Sequence, residues 1–303
     1  MHEQKRGASG DSSSVKELVV LSGKGGTGKT TITASFAALA DQVILADCDV
    51  DAADLHLITA PTLVTDEPFF SGKEAVVDSE QCSGCGLCAI ACRFDAFVEK
   101  SDGAYTISPV HCEGCGVCVR ICPEEAIRFI DRDCGRWMVS DTRFGPMVHA
   151  RLHAAGENSG KLVTLVRREA KRIAEKQNIP LLLVDGPPGI GCAVISSVTG
   201  ADAVLLVTEP SKSGLHDLER VTALARSFSI PVYVCVNKCD IDTGITESIR
   251  RRTIEDGNYF VGTIPYDEQM VKAQNMGLSA VEFIEGETRD RIREIWESIW
   301  TTQ

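Results

Sequence analysis

Residues Glu17–Thr30 read ELVVLSGKGGTGKT, and this stretch decides the fold. Glu17–Ser22 is a short apolar run closed at once by glycine, the pattern of a parallel strand buried on both faces. Gly23-Lys24-Gly25-Gly26-Thr27-Gly28-Lys29-Thr30 follows, and Thr31–Ala40 reads as a helix. Strand, glycine-rich loop and helix in that order are the setting of a phosphate-binding loop. Glycines let backbone N–H groups close around phosphate oxygens at a helix N-terminus. That assigns Gly25, Gly26, Thr27, Gly28 and Thr31 to the cradle. In the complete G-x-x-x-x-G-K-T pattern, Lys29 reaches the β- and γ-phosphates of a nucleotide and the Thr30 hydroxyl binds Mg²⁺.

Strand and helix keep alternating on either side of a central interruption. Val43–Ala46 forms a second strand that runs into Asp47-Cys48-Asp49-Val50-Asp51. Three carboxylates at one strand end repel one another unless a cation stands nearby. Leu181–Val184 is a further strand, ending in Asp185-Gly186-Pro187-Pro188-Gly189. Ala203–Thr208, Pro231–Val236 and Tyr259–Ile264 read as strands, with a helix over Gly214–Ser227. The expected fold is α/β, a doubly wound, mostly parallel sheet with its ligand at the carboxyl ends of the strands.

From about residue 66 to 140 the alternation stops and cysteines take over. Of thirteen cysteines in the chain, Cys82, Cys85, Cys88 and Cys92 form one run, and Cys112, Cys115, Cys118 and Cys122 another. Both spell C-x2-C-x2-C-x3-C, the spacing that wraps thiolates around a cubane iron–sulfur cluster. Zinc sites instead use C-x2-C pairs separated by longer gaps. Each run is flanked by β-prone stretches: Glu74–Val77, Phe97–Glu99, Tyr105–Ser108 and Ile127–Ile130. The predicted organisation is a tail over 1–16, a nucleotide domain over 17–65 and 141–303, and an α+β insert over 66–140.

The 303 residues are 44% hydrophobic and 24% charged, an ordinary globular balance with room for two modules. A net charge of −12 disfavours general nucleic-acid binding. Arg250-Arg251-Arg252 and Arg167-Arg168 with Lys171-Arg172 read as solvated helix faces. No apolar run is long enough to span a bilayer. Met1–Ser14 is polar, rich in Gly and Ser, and reads as a disordered tail rather than a signal peptide. The expectation is a cytoplasmic protein, where regular cysteine spacing means metal rather than disulfides.

The loop carries a second lysine, Lys24, and K-G-G-T-G-K-T resembles the deviant Walker A motif of the MinD/ParA-type ATPases. The resemblance covers residues 17–60 and roughly 160–303. It implies ATP and Mg²⁺ as ligands and an ATP-dependent dimer, with itself or a paralogue, in which Lys24 contacts phosphate. It also implies that Asp49 orients or activates the attacking water, that Asp47 lies near Mg²⁺ and that Asp185 holds Mg²⁺ through water. Asn237 matches an adenine contact, and Pro265-Tyr266-Asp267 resembles the second adenine-side loop. The catalytic assignment is therefore Lys24, Lys29 and Asp49.

The insert resembles a bacterial two-cluster ferredoxin, in which the fourth cysteine of each run ligates the other cluster. That implies one [4Fe-4S] cluster on Cys82, Cys85, Cys88 and Cys122, and a second on Cys112, Cys115, Cys118 and Cys92. Arg93 stands after Cys92 where Pro123 follows Cys122, a departure that touches hydrogen bonding and potential but not ligation. The whole chain is similar to MinD-superfamily ATPases carrying an inserted ferredoxin, which share the stretches Phe144–Leu152 and Glu157–Val163. These are expected to return the chain from the insert to the ATPase.

Other residues carry less. Cys192 matches a cluster-ligating position of the nitrogenase iron protein, but no second cysteine lies near residues 156–159, so a buried structural thiol is the simpler expectation. His149 and His153, spaced i, i+4, are expected on one helix face as packing or surface residues. Cys48, Cys134, Cys235 and Cys239 show no ligand spacing. Ile292, Ile295, Trp296, Ile299 and Trp300 form an apolar helical stripe whose acidic neighbours favour docking on the core over membrane binding. The leading expectation is an ATP-hydrolysing redox protein that hands electrons to a protein partner, without nucleic-acid binding or stable membrane insertion. The alternatives are an iron–sulfur carrier ATPase and a redox-sensing MinD-like positioning ATPase.

Overall fold

The computed structural model describes residues 15–153, 156 and 158–301. The tail expected over Met1–Ser14 lies outside the described residues. The chain divides into two compact units. The first takes the described parts of Met1–Asp66, Met138–Ala150 and Ser159–Gln303, and the second Glu67–Trp137 and Arg151–Asn158.

The first unit is built on β1 (Lys16–Ser22), α1 (Lys29–Leu39), β2 (Val43–Asp47) and α2 (His56–Thr59). The strand β3 (Thr62–Val77) leaves it for the second unit. There follow α3 (Leu87–Ala91), β4 (Phe97–Glu99), β5 (Tyr105–Ile107) and α4 (Val117–Ile121), before β6 (Ile127–Thr142) returns to the first unit. The remaining strands are β7 (Gly145–Leu152), β8 (Leu181–Pro188), β9 (Ala203–Thr208), β10 (Val232–Asn237) and β11 (Tyr259–Ile264). Interleaved with the later strands are α5 (Ser159–Gln177), α6 (Cys192–Val198), α7 (Lys212–Ser227) and α8 (Thr243–Glu255). After β11 come α9 (Gln269–Asn275), α10 (Ala280–Phe283) and α11 (Glu287–Thr301).

The strand order in the main sheet is β11-β10-β9-β1-β8-β2-β7-β6-β3. β1 pairs in parallel with β8 and β9, β2 with β8 and β7, and β10 with β9 and β11. β1 is thus central, and its Leu18, Val19 and Val20 are completely buried, as the unbroken apolar run requires. Register then sets the chemistry: Asp185 lies opposite Val20 of β1 on one side and Asp47 of β2 on the other. Two buried carboxylates therefore stand side by side at the carboxyl ends of the strands, next to the loop that follows Ser22.

The C-terminal stripe docks on this core. Ile292, Ile295 and Ile299 are buried, and the Trp296 ring packs 4.9 Å from that of Phe36 on α1. Each fully buried isoleucine contributes about 1.5–3 kcal/mol. Among the described residues, no helix is long and apolar enough to cross a membrane.

Two features depart from the sequence reading. Of the long strands β3 and β6 only the ends Glu74–Val77 and Ile127–Ile130 were legible, because only Phe69, Ser71 and Ala75 of β3 are buried and no clean period of two survives. The expected helix carrying His149 and His153 is instead strand β7, which ends before His153. Alternate residues there face opposite sides, and His149 Nε2 lies 2.9 Å from Ser140 Oγ on β6.

In the second unit, β4 and β5 form a two-stranded antiparallel sheet. Its core is small, centred on Ala75, Cys88 and Ile127. Each cysteine run bends through glycines in the left-handed region, Gly84 and Gly86 (φ 72° and 73°) and Gly114 and Gly116 (φ 60° and 72°). A Cβ on Gly84 would lie 2.6 Å from the Gly103 carbonyl, and one on Gly114 2.2 Å from that of Lys73. Only glycine fits there.

Candidate nucleotide site and cysteine cavities

The loop between β1 and α1 opens a cleft of about 800 Å³ lined by Gly25–Thr31, Asp49, Pro187, Asn237 and Tyr266 among others. Gly28 sits at φ 91°, and a Cβ there would lie 2.5 Å from Asn237 Nδ2. That amide donates to the Thr27 carbonyl at 2.8 Å, so Asn237 braces the loop from the end of β10.

Lys29, the first residue of α1, is pulled inward. Its Nζ is 2.8 Å from Asp185 Oδ1 and 3.9 Å from Asp49 Oδ2. Asp185 also accepts hydrogen bonds from Thr30 Oγ1 at 2.7 Å and Thr33 Oγ1 at 3.0 Å. Asp47 accepts the backbone N–H groups of Asp49 and Leu55, both at 3.2 Å. Burial opposes the Lys29 charge, yet Asp185, Asp47 and Asp49 prevail and hold its pKa above the ordinary value. Burial, reinforced by Asp185, pushes Asp47 up to about 8. Burial also raises Asp49 to about 6, against the pull of Lys29. One lysine does not balance three carboxylates in a buried site. A divalent cation bound through the Thr30 hydroxyl and water suits that excess of negative charge.

The other expected residues are distributed as follows. Lys24 is not among the residues that line the cleft; it forms an ion pair with Glu209, just after β9, and a 3.3 Å hydrogen bond to Ser213 Oγ. Lys238 Nζ stands 3.5 Å from the same glutamate and donates to the Gly26 carbonyl at 3.0 Å. Glu209, which these lysines hold below the usual carboxylate range despite partial burial, was not singled out from sequence. Its only signal there is an acidic residue at a strand carboxyl end. Thr33, one turn after Lys29, was likewise missed. Tyr266 and Asp267 line the cleft while Pro265 precedes them in the same loop. Cys192 is exposed and also lines it, so it is not the buried thiol expected.

The second unit contains two small cavities. One is lined by Cys82, Cys85, Cys88 and Cys122, the other by Cys92, Cys112, Cys115 and Cys118. Among the described residues, none of these eight cysteines forms a disulfide. Burial pushes up the thiols of Cys88 and Cys118, and each also feels the first two cysteines of its own run. Among the described residues, no three His, Cys, Asp or Glu side chains converge closely enough to hold a single metal ion.

Comparison with known proteins identifies the first unit's chemistry. The family model for the CobQ/CobB/MinD/ParA nucleotide binding domain matches residues 18–280. The chain belongs to this family. It is a P-loop ATPase, as the loop and its strand–helix frame led us to expect, and ATP and Mg²⁺ fit such a site. An uncharacterized protein of Methanocaldococcus jannaschii, MJ0578, is 33% identical over 229 residues, spanning 74% of this chain and 78% of that one. The cell division ATPase MinD of Pyrococcus furiosus superposes with a TM-score of 0.57 at 18% identity, covering 95% of this chain and 99% of its own. MinD of Pyrococcus horikoshii, solved with Mg-ADP, gives 0.56 at 17% identity over 94% and 96%. At those identities the two structures establish the shared fold.

Proposed function

We propose that this ATPase couples nucleotide-driven switching and dimerisation to electron transfer through two [4Fe-4S] clusters to a protein partner. The observation that carries the reading is the sorting of eight cysteines into two cavities, each lined by the first three of one run and the fourth of the other. Cys82, Cys85, Cys88 and Cys122 would hold the first cluster, and Cys112, Cys115, Cys118 and Cys92 the second. A cubane keeps its thiolates apart by its own width, whereas a single zinc ion gathers them at one point. Four cysteines around each cavity supply the number of thiolates that a cubane takes. When bound, the clusters supply one-electron transfer: an electron leaves a reduced donor protein and passes to an oxidised acceptor protein.

In the ATPase unit, Lys29 and the backbone of Gly25–Thr31 would hold the phosphates. Thr30, Asp47 and Asp185 would bind Mg²⁺, directly or through water. Asp49 would orient the attacking water, with Lys24 contacting phosphate in the dimer, and Asn237 and the Pro265 loop would face adenine. The Asp49 and Asp185 loops precede and follow the cysteine segment in the chain. Movement of those loops on hydrolysis is the route by which nucleotide state reaches the clusters. The net charge of −12 and the C-terminal stripe buried on the core favour a cytoplasmic protein.

Anaerobic purification followed by iron, sulfide and zinc analysis tests the reading. About eight irons and eight sulfides per chain are expected for two cubanes. Stoichiometric zinc without sulfide would contradict it. A MinD-like positioning ATPase is the second reading, favoured by the match to MinD over nearly the whole chain. ATP-dependent sedimentation with lipid vesicles would support that one.

A further inference from the structure

The two cysteine runs match position for position, Cys82–Cys92 on Cys112–Cys122, so each half of the second unit serves as a control for the other. Ligand spacing and glycine conformations are shared. The charges are not. Cys82 N–H donates to the carbonyl of Asp78, whereas Cys112 N–H donates to that of Ser108, each at 3.1 Å. Glu124 lines the cavity of Cys82, Cys85, Cys88 and Cys122, and its counterpart Phe94 lines the other. The ring over Gly86 is Tyr105, which stands opposite Glu99 across β4 and β5, whereas the ring over Gly116 is Phe129.

Cations show the opposite bias. Arg132 donates to the Cys112 carbonyl at 3.3 Å and to the Pro109 carbonyl at 3.0 Å. The matching position in the first half is Asp102, next to the Gly103 carbonyl that packs on Gly84. Arg93 follows Cys92 where Pro123 follows Cys122. The Cys92 sulfur also accepts the Ala96 N–H at 3.5 Å. Against this trend, Glu113 lines the second cavity where the first has Ser83. Lys73 is paired with Asp131 at 2.8 Å and nearly cancels. Arg120 lies between Cys118 and Cys122, one ligand of each cavity, and separates them little.

Resting on the two-cluster reading, we propose that the cluster held by Cys92, Cys112, Cys115 and Cys118 has the higher reduction potential and takes the first electron, with Arg132 and Glu124 setting that order. A cubane on four thiolates is already anionic and gains one more negative charge when a one-electron donor reduces it. No bond breaks and no atom transfers. Nearby carboxylates oppose that charge, while guanidinium groups and N–H donors to sulfur favour it. The first half has Glu124 at its cavity and Asp78, Glu99 and Asp102 nearby in the chain, with Lys100 opposing them. The second sets Arg93 and Arg132 against Glu113, with Asp131 taken up by Lys73, Asp133 paired with His153, and Glu125 matched by Asp95 in the first half. A singly reduced protein therefore holds its electron in the second half, and the first-half cluster becomes the stronger reductant once a second electron arrives.

The test uses the whole protein, purified anaerobically, titrated with dithionite through redox mediators and followed by EPR. Two one-electron steps are expected. Arg132→Gln should lower the upper step and Glu124→Gln should raise the lower one. A unit charge about 7 Å away through a half-wet medium changes such an equilibrium by roughly threefold to tenfold, about 30 to 60 mV. Arg132→Lys, which keeps the charge, should leave the upper step near the wild-type value. The order is overturned if Arg132→Gln moves the lower step, if Glu124→Gln moves the upper one, or if the wild type titrates in a single step. Should Arg132→Gln lose iron, Glu124→Gln alone decides between the two orders. Wild-type protein with zinc in place of iron and sulfide would defeat the two-cluster reading itself, an outcome distinct from cubanes that titrate in the wrong order.

Discussion

Lys29→Met should separate the two lysines of the phosphate loop by stability as well as by activity. Lys29 Nζ is 2.8 Å from Asp185, with side-chain exposures of 7% and 1%. Removing one partner of a buried pair leaves an uncompensated charge and costs about 3–5 kcal/mol. Asp47, in register with Asp185, adds a second acidic group that Lys29 serves. For a unit of this size the cost corresponds to a Tm lower by roughly 6–20 °C. Lys24 is paired with Glu209 near the surface, where such pairs are worth below about 1 kcal/mol. Lys24→Met should therefore unfold close to the wild type while ATP turnover falls in both variants. Urea denaturation in EDTA, without nucleotide, measures the difference. Millimolar Mg²⁺ should recover part of the Lys29→Met loss, because a cation that binds only the folded site stabilises by mass action. Equal stability losses for the two variants, or none for Lys29→Met, would refute the placement of Lys29 as the buried counter-charge.

Gly28→Ala should weaken ATP binding at least tenfold by calorimetry. It forces a side chain into the left-handed region, about 1–3 kcal/mol of strain, and against the Asn237 amide that braces the loop. Ile299→Ala should cost about 2–5 kcal/mol in thermal unfolding, since Ile299, on the core-facing side of α11, is completely buried. His149 should make the protein acid-labile. Burial, aided by His56, lowers its pKa to about 4, while an unfolded chain charges near 6.5. The unfolded state then binds more protons between those values, so stability is lost as pH falls through that window, by at most roughly 3 kcal/mol. Urea midpoints at pH 7 and pH 5 for the wild type and His149→Gln read the effect, which the variant should lose.

The phosphate loop was legible because each part has a local cause: an apolar run for a doubly buried strand, glycines for left-handed turns, and a lysine at a helix start. Asp47 and Asp185 were legible for the same reason, as acids at strand ends, though only register shows them adjacent. What escaped depends on partners distant in sequence. Glu209 is recognisable as a counter-charge only when Lys24 and Lys238 both reach it. The greater part of β3 and β6, beyond Glu74–Val77 and Ile127–Ile130, escaped because their exposed stretches carry no alternating pattern. His149 was misread because a spacing of four residues is compatible with a helix face, yet the β-prone run GPMVHARL extends instead.

The central proposal is that nucleotide state reaches two iron–sulfur clusters held by the cysteine runs. Its most direct measurement is an EPR redox titration of the intact, anaerobically purified protein with a slowly hydrolysed ATP analogue and with ADP. Coupling predicts that at least one cluster potential differs between the two nucleotide states. Identical potentials and line shapes in both states, in a sample that binds both nucleotides, would contradict it.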